Sequence, residues 1–147
     1  AEILDKYDKE NLNAIIFKSS KKNNFIAGAD IEMLKSSNEE EINEILNNGH
    51  KLIDKLGRIN SIASINGSCL GGGLEFAMAC KYRIATDSSK TVLGLPEVKL
   101  GLLPGMGGTQ LFPKLVGLQN GLGPILTGSN IRPRKAKKIP AIIVVDE

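Results

Sequence analysis

The segment that most constrains the fold is residues 65–75, with the sequence INGSCLGGGLE. It is typical of a strand that runs through a tight turn and three glycines into a helix with a carboxylate in its first turn. A glycine inside such an element costs about 0.5–1 kcal/mol relative to alanine, so the run indicates backbone where no Cβ fits or N–H groups that face a ligand. The helix start adds uncovered N–H donors and the positive end of the helix dipole. We therefore predict an oxyanion site with Glu75 as an adjacent proton-transfer residue.

Length and composition set the broad class of protein. The chain has 147 residues, enough for one domain with a core, and its hydrophobic (41%) and charged (24%) fractions are ordinary for a globular protein. A net charge of +3, no Trp, four Phe and two Tyr argue against a nucleic-acid-binding surface, so no nucleic-acid partner is expected. No apolar run approaches the roughly 20 residues that a membrane-spanning helix needs. The first residues are typical of neither a signal nor a transit peptide.

Cys69 and Cys80 are the only cysteines, and His50 is the only histidine. These residues do not have the spacing of a metal site, so no metal is expected and both cysteines are predicted to be reduced, buried and apolar in role. A reducing compartment fits this interpretation. His50 lies just off the apolar face of a predicted helix, and we expect a surface residue without a catalytic role.

Strands that alternate with helices predict an α/β domain with a mostly parallel or mixed sheet. The clearest helix spans residues 38–56, where apolar residues recur with the 3.6-residue period and Asn38 and Glu41 have capping-box spacing. Further strands are predicted over 13–19, 59–66, 82–86 and 91–93. Further helices are predicted over 74–80, from the second glycine-rich loop (101–110) to residue 116, over 124–127 and over 133–138. Residues 1–10 are predicted to contain a helix end, and residues 140–147 to form an apolar tail.

Several catalytic motifs are excluded by the sequence. The chain contains no Gly-Lys pair and therefore no Walker P-loop. The glycines at 71–73 are not followed by the third glycine of the dinucleotide fingerprint. Ser68 does not lie in a nucleophile elbow, because the residue two positions before it is Asn66. A serine hydrolase is therefore not favoured, and Ser68 is predicted to be a turn residue.

Two glutamates remain as candidates for acid–base chemistry. Glu75 lies among Leu74, Phe76 and Met78, and Glu97 lies in a second apolar segment with Gly and Pro. Partial desolvation favours the neutral carboxyl and tunes it toward proton transfer near physiological pH, and two such groups can divide the acid and base roles. The alternative is structural: each glutamate caps a helix or pairs with a nearby Lys or Arg. Residue type alone leaves the two interpretations balanced.

Five motifs, in this order along the chain, make the sequence resemble the crotonase (enoyl-CoA hydratase/isomerase) superfamily. They are FIAGADI at 25–31, INGSCLGGGLE at 65–75, YRIAT at 82–86, LPEV at 95–98 and LPGMGGTQ at 103–110. The resemblance covers residues 12–138, and residues 66–70 and 83–86 look most like the hydratase region of multifunctional enzymes of fatty-acid oxidation.

The resemblance implies an α/β fold of the crotonase type, a spiral of ββα units. Because the superfamily pattern has further elements on both sides, we expect residues 1–147 to form a single, incomplete enoyl-CoA hydratase/isomerase domain, truncated at both ends. Whether the domain is part of a multifunctional hydratase/3-hydroxyacyl-CoA dehydrogenase stays open at this point. The implied partners are an acyl-CoA substrate, further copies in a trimer-based homo-oligomer or, at full length, a fatty-acid oxidation complex, with membrane association only through that complex. The implied location is the mitochondrial matrix or, in a bacterium, the cytoplasm.

The resemblance also implies the roles of individual residues. The N–H groups of Ala27 and Gly72 would hold the thioester oxygen as it becomes enolate-like. Glu75 and Glu97 would position one water, deliver it to the β-carbon of a trans-2-enoyl-CoA and protonate the α-carbon, with no metal or redox cofactor. The residues implied to contact the coenzyme A thioester are Ala27, Gly28, Ala29, Asp30 and Gly72.

The pair of glutamates favours hydration over isomerisation. Isomerases of the superfamily typically use one glutamate, at the position of Glu97, so the presence of Glu75 as well indicates an enoyl-CoA hydratase. Two alternatives stay open at this point. One is a catalytically silent, crotonase-like module that binds coenzyme A or acts in assembly, and the other is a related reaction such as enoyl-CoA delta isomerisation or thioester hydrolysis.

Overall fold

The computed structural model describes Leu4, Lys6 and residues 12–139 and 141–145. Its strands are β1 (Ile15–Lys18), β2 (Asn24–Ile26), β3 (Ser61–Ile65), β4 (Ser68–Leu70), β5 (Tyr82–Thr86), β6 (Val92–Gly94) and β7 (Ile143–Val145). Its helices are α1 (Ile31–Ser36), α2 (Glu39–Leu56), α3 (Gly72–Ala79), α4 (Gly108–Val116), α5 (Leu118–Thr127) and α6 (Pro133–Lys138), with a 3₁₀ helix at Pro96–Leu100.

Consecutive strands alternate between two sheets. One sheet has the order β1-β3-β5-β7 and the other the order β2-β4-β6, and every neighbouring pair within a sheet is parallel. Each turn of the chain therefore contributes one strand to each sheet and then a helical segment before the next strand begins. This arrangement is a spiral of ββα units, and it confirms the predicted α/β class.

The core lies where the two sheets meet the helices. In β3, Ser61, Ala63 and Ile65 are buried while the residues between them are half-buried, as expected for a strand with one face toward the core. The main apolar cluster joins the strands to Leu74 of α3 and Phe112 of α4. Its other fully buried members include Cys69, Leu93, Leu95 and Ile131.

Helix α2 begins and ends where the sequence predicts. The Asn38 side chain accepts a hydrogen bond from the Glu41 N–H at 3.0 Å, and the Glu41 carboxylate accepts one from the Asn38 N–H at 2.9 Å. This capping box satisfies two of the donors that a helix start leaves open. Gly57 caps the other end, and Gly49, Ile53 and Leu56 are the buried residues of the helix.

Five elements were not predicted, and they correct the sequence interpretation. No element was predicted for the segments that form β2, α1, β4 and the 3₁₀ helix. Ser68 therefore opens a strand and is not a turn residue. Within residues 140–147, Ile143–Val145 pair with β5 as strand β7, so the predicted tail is wrong there. Such pairing joins residues about sixty positions apart and has no local signal. Of the helix end predicted within 1–10, only Leu4 and Lys6 are described, and both are helical.

The cysteines agree with their prediction. Cys69 and Cys80 are free thiols and both are buried. Burial raises the pKa of the Cys69 thiol, and burial likewise raises that of Cys80. Among the described residues, no three or more His, Cys, Asp or Glu side chains are grouped as metal ligands would be. Within the same part of the chain, no helix has the length and apolarity to cross a membrane.

Candidate active site

Glu75 is a fully buried carboxylate on the first turn of α3, with 1% of its surface exposed. Its Oε1 atom accepts hydrogen bonds from the N–H of Met106 at 2.8 Å and from the N–H of Gly108 at 2.7 Å. Both donors belong to the glycine-rich turn that opens α4, where the first N–H groups have no partner inside the helix. The loop of residues 103–110 thus holds Glu75 in one orientation.

The start of α3 packs directly on the end of β2. A Cβ at Gly73 would lie 2.2 Å from the carbonyl oxygen of Ile26, so no other residue fits there. A Cβ at Gly71 would lie 3.7 Å from the Cα of Gly28, which brings the loop after β2 against the turn before α3. This close approach of two backbone segments explains why residue 73 is a glycine.

The two predicted oxyanion donors, Ala27 and Gly72, lie on these packed loops. Gly72 is the first residue of α3, so its N–H has no acceptor within the helix. Among the hydrogen bonds of the described residues, neither the Ala27 nor the Gly72 N–H has an acceptor. Ala27 is exposed and Gly72 is half-buried. Their function as an oxyanion hole stays a prediction.

Glu97 lies beside the Gly71–Gly72 turn. It sits in the first turn of the 3₁₀ helix, and a Cβ at Gly71 would lie 2.9 Å from its Oε1. Gly71 adopts φ +54°, a backbone conformation that residues other than glycine rarely adopt. A Cβ on the next residue, Gly72, would lie 3.8 Å from Oε2 of Glu75. Consecutive glycines therefore face the two carboxylates, and the structure brings Glu75 and Glu97 into one site.

The two carboxyl groups have perturbed acidity for different reasons. Burial raises the pKa of Glu75, while the N–H groups of Gly108 and Met106 and the charge of His50 lower it, and the net pKa is above the ordinary value. Burial also raises the pKa of Glu97, its own backbone N–H lowers it, and the charge of Glu75 raises it further. The Oε2 atom of Glu97 is buried and has no partner among the described residues. Such an atom normally requires a donor from water or ligand.

The loop predicted to contact coenzyme A lies beside the donors. Gly28 is half-buried with φ +105°, and Ala29 and Asp30 are exposed. The Asp30 carboxylate accepts hydrogen bonds from the N–H groups of Glu32 and Met33, at 3.0 and 3.2 Å, and so caps α1. Asp30 therefore fixes the start of α1. Contact between Asp30 and coenzyme A stays a prediction.

Two contributors to the site were missed by sequence reasoning. Met106 and Gly108 were noted only as members of a second glycine-rich loop, yet their N–H groups hold Glu75. Glycines immediately before a helix were the available signal, since such turns expose several N–H groups. His50 is exposed on α2, as predicted, although its charge acts on the pKa of Glu75.

The ββα spiral and the two neighbouring glutamates are the features expected from the resemblance to the enoyl-CoA hydratase/isomerase family. The sequence model of the enoyl-CoA hydratase/isomerase family matches residues 1–146. The chain therefore belongs to this family.

Similar proteins narrow the comparison. Fatty acid oxidation complex subunit alpha from Idiomarina loihiensis is 48% identical over an alignment of 147 positions. The alignment covers 93% of this chain and 21% of that protein. The corresponding subunit from Vibrio campbellii is 47% identical over 138 residues, covering 92% of this chain and 20% of that protein. The chain thus spans about a fifth of the length of these curated relatives. They confirm the predicted resemblance to fatty-acid oxidation enzymes.

Solved structures agree on the fold. The enoyl-CoA hydratase from Bacillus anthracis superposes with a TM-score of 0.92 at 34% identity and covers 99% of this chain and 57% of that one. The enoyl-CoA hydratase from Thermoplasma volcanium gives a TM-score of 0.91 at 30% identity, with 99% of this chain and 59% of that one covered. These likenesses confirm the predicted crotonase-type spiral.

Proposed function

We propose that the chain carries an enoyl-CoA hydratase site that adds water across the double bond of a trans-2-enoyl-CoA in fatty-acid β-oxidation. The observation that supports this most directly is the pair of carboxylates, Glu75 and Glu97, both placed beside the Gly71–Gly72 turn. Hydration requires a base for the water and an acid for the α-carbon, and two neighbouring carboxyl groups can supply both.

The oxyanion hole is the first part of the proposed mechanism. The N–H groups of Ala27 and Gly72 would donate hydrogen bonds to the thioester oxygen as negative charge develops on it. The positive end of the α3 dipole adds to this stabilisation at Gly72. A donor of this kind contributes about 3–4 kcal/mol to the transition state when its loss is measured in other enzymes.

The division of labour between the glutamates follows from their surroundings. Two N–H groups bond to Oε1 of Glu75 and favour its ionised form, so Glu75 is the proposed base. The charge of Glu75 raises the pKa of Glu97, which favours the protonated form of Glu97 and makes it the proposed acid. The water oxygen would bond to the β-carbon as Glu75 accepts a proton, and the α-carbon would accept the proton of Glu97. The buried Oε2 of Glu97 would gain a partner from this water or the substrate.

The names of the relatives suggest how the protein assembles. The relatives are subunits of fatty acid oxidation complexes by name, and we propose that this protein belongs to such a complex. An acyl-CoA thioester would be the substrate, and no separate cofactor would be required.

The decisive experiment is the loss of enoyl absorbance with crotonyl-CoA and with a longer enoyl-CoA. Glu75→Gln and Glu97→Gln should each lower kcat about 10²–10⁴-fold, the usual contribution of a positioned acid or base. Glu44→Gln, on the exposed side of α2, is the matched control and should leave kcat unchanged. Activity that survives both site substitutions would overturn the mechanism. Retained coenzyme A binding without any turnover would instead indicate a silent binding module, and a shifted double bond without added water would indicate an isomerase.

A further inference from the structure

We propose that Met106 is a positioning residue, whose side chain rests on Gly49 of α2 and thereby fixes the N–H group that holds Glu75. The catalytic part of this inference rests on the proposed function. Its structural part, the control of Glu75 by a contact with α2, does not depend on which reaction the site performs.

The contact between α2 and the loop is close. A Cβ at Gly49 would lie 2.9 Å from Cγ of Met106, 3.2 Å from its Cε and 3.3 Å from its Sδ. One turn earlier on α2, the Cδ2 atom of Leu46 would lie 2.7 Å from a Cβ at Gly105. Residues three apart share a helix face, so one face of α2 supports two consecutive residues of the loop.

Met106 connects the contact with α2 to the proposed base, Glu75. Its backbone N–H donates to Oε1 of Glu75 at 2.8 Å, while its Sδ would lie 3.5 Å from a Cβ at Gly72. The Met106 side chain therefore fills the space between α2 and the turn that carries a proposed oxyanion donor. The same residue lies against the helix, donates to the proposed base and lies beside the glycine that carries the proposed donor.

The loop has little rigidity of its own, which is why the side chain matters. Gly105, Gly107 and Gly108 surround Met106 in sequence, and glycine-rich backbone loses the most freedom when it is ordered. A hydrogen bond weakens steeply when its angle or length departs from the optimum. Displacement of Met106 should therefore weaken the bond to Glu75, disfavour the ionised carboxylate and raise its pKa further. The other charged groups that act here are His50 on α2 and Glu97 on the 3₁₀ helix.

The test compares Met106→Ala, Gly49→Ala, the double variant and the conservative Met106→Leu. Each is followed by NMR titration of ¹³C-labelled glutamate carboxyls, with the Glu75 signal assigned from Glu75→Gln, and by kcat and KM for an enoyl-CoA. Met106→Ala and Gly49→Ala should each raise the pKa of Glu75 and lower kcat about 10-fold, with KM within about twofold, since orientation and not substrate binding is changed. Met106→Leu should retain most of the activity of the unaltered chain.

The double variant gives the sharpest result. If Gly49 acts through the Met106 side chain, the new methyl has no clash once that side chain is removed, so the double variant should be no worse than Met106→Ala. Additive losses, or an unchanged Glu75 titration in both single variants, would overturn the inference. If Met106→Ala does not fold, the Glu75 titration in Gly49→Ala decides the question. Lack of turnover in the unaltered chain would refute the proposed function alone, because the NMR titration still reports the contact.

Discussion

The two glutamates of the site are held in opposite ways. Glu75 is 1% exposed, lies on a regular helix and receives two backbone hydrogen bonds from a loop more than thirty residues away. Glu97 is half-buried, lies on a short 3₁₀ helix and has a buried Oε2 without a partner among the described residues. One carboxylate is thus built into the fold, while the other leaves part of its hydrogen-bonding capacity for a ligand.

This difference means that the two glutamates contribute differently to the stability of the fold. Removing Glu75 would leave the N–H groups of Met106 and Gly108 without their acceptor. The stability of the fold therefore depends on this carboxylate. Removing Glu97 would relieve a buried oxygen that the protein does not satisfy. We therefore expect substitutions at the two positions to have similar consequences for catalysis and different consequences for folding.

The largest difference is expected for truncation to alanine. Glu75→Ala leaves the buried N–H of Gly108 and the half-buried N–H of Met106 without an acceptor. The cost is about 1–3 kcal/mol for the first donor and less for the second, so the free energy of unfolding should fall by roughly 2–4 kcal/mol. Glu97→Ala should cost much less, because no described N–H group other than that of Glu97 itself bears on its carboxylate. Urea unfolding of both variants measures the comparison. An equal loss of stability would show that Glu97 is as firmly built in as Glu75.

A smaller effect is expected from crowding the loop that holds Glu75. A Cβ at Gly108 would lie 2.8 Å from Cβ of Pro104 and 3.0 Å from Oε1 of Glu75, so Gly108→Ala should cost about 1–3 kcal/mol of stability and lower kcat. The matched control is Gly123→Ala, on the exposed side of α5 with open space around it, which should stabilise the chain by about 0.5–1 kcal/mol. Urea unfolding and the hydratase assay read both variants. A neutral Gly108→Ala would show that the loop yields easily.

How much of this could be foreseen from the sequence depends on the range of each contact. Helix α2 was predicted from its period and from the capping box of Asn38 and Glu41, which are local signals. The burial of Glu75 followed from its apolar neighbours. Its two N–H donors could not be assigned, because they lie 31 and 33 residues further along the chain. Strand β7 was missed for the same reason, since only its pairing with β5 makes it a strand.

The pH dependence of stability should also separate the two glutamates. An unfolded glutamate has a pKa of about 4.3, while the pKa of Glu75 is raised in the folded chain. Between those two values the folded state binds more protons than the unfolded state, so stability should fall as pH rises through this window and then level off. Glu75→Gln should remove this part of the slope and keep an acceptor for the loop. Glu97→Gln should remove less, because Glu97 is half-buried and water screens its charge. Urea unfolding from pH 4.5 to 8 tests this, and a slope unchanged by Glu75→Gln would contradict it.

The smallest effect concerns the end of α2 that is remote from Gly49. Asn38→Ala removes the side-chain acceptor of the capping box and should cost about 0.5–2 kcal/mol of stability. If Glu75 depends on the local contact between Gly49 and Met106, and not on the overall stability of α2, the pKa of Glu75 and kcat should stay unchanged in Asn38→Ala. The same NMR titration and assay decide the matter. A raised Glu75 pKa in this variant would mean that the loop senses the whole helix, and the tie between Glu75 and the fold would then extend along the full length of α2.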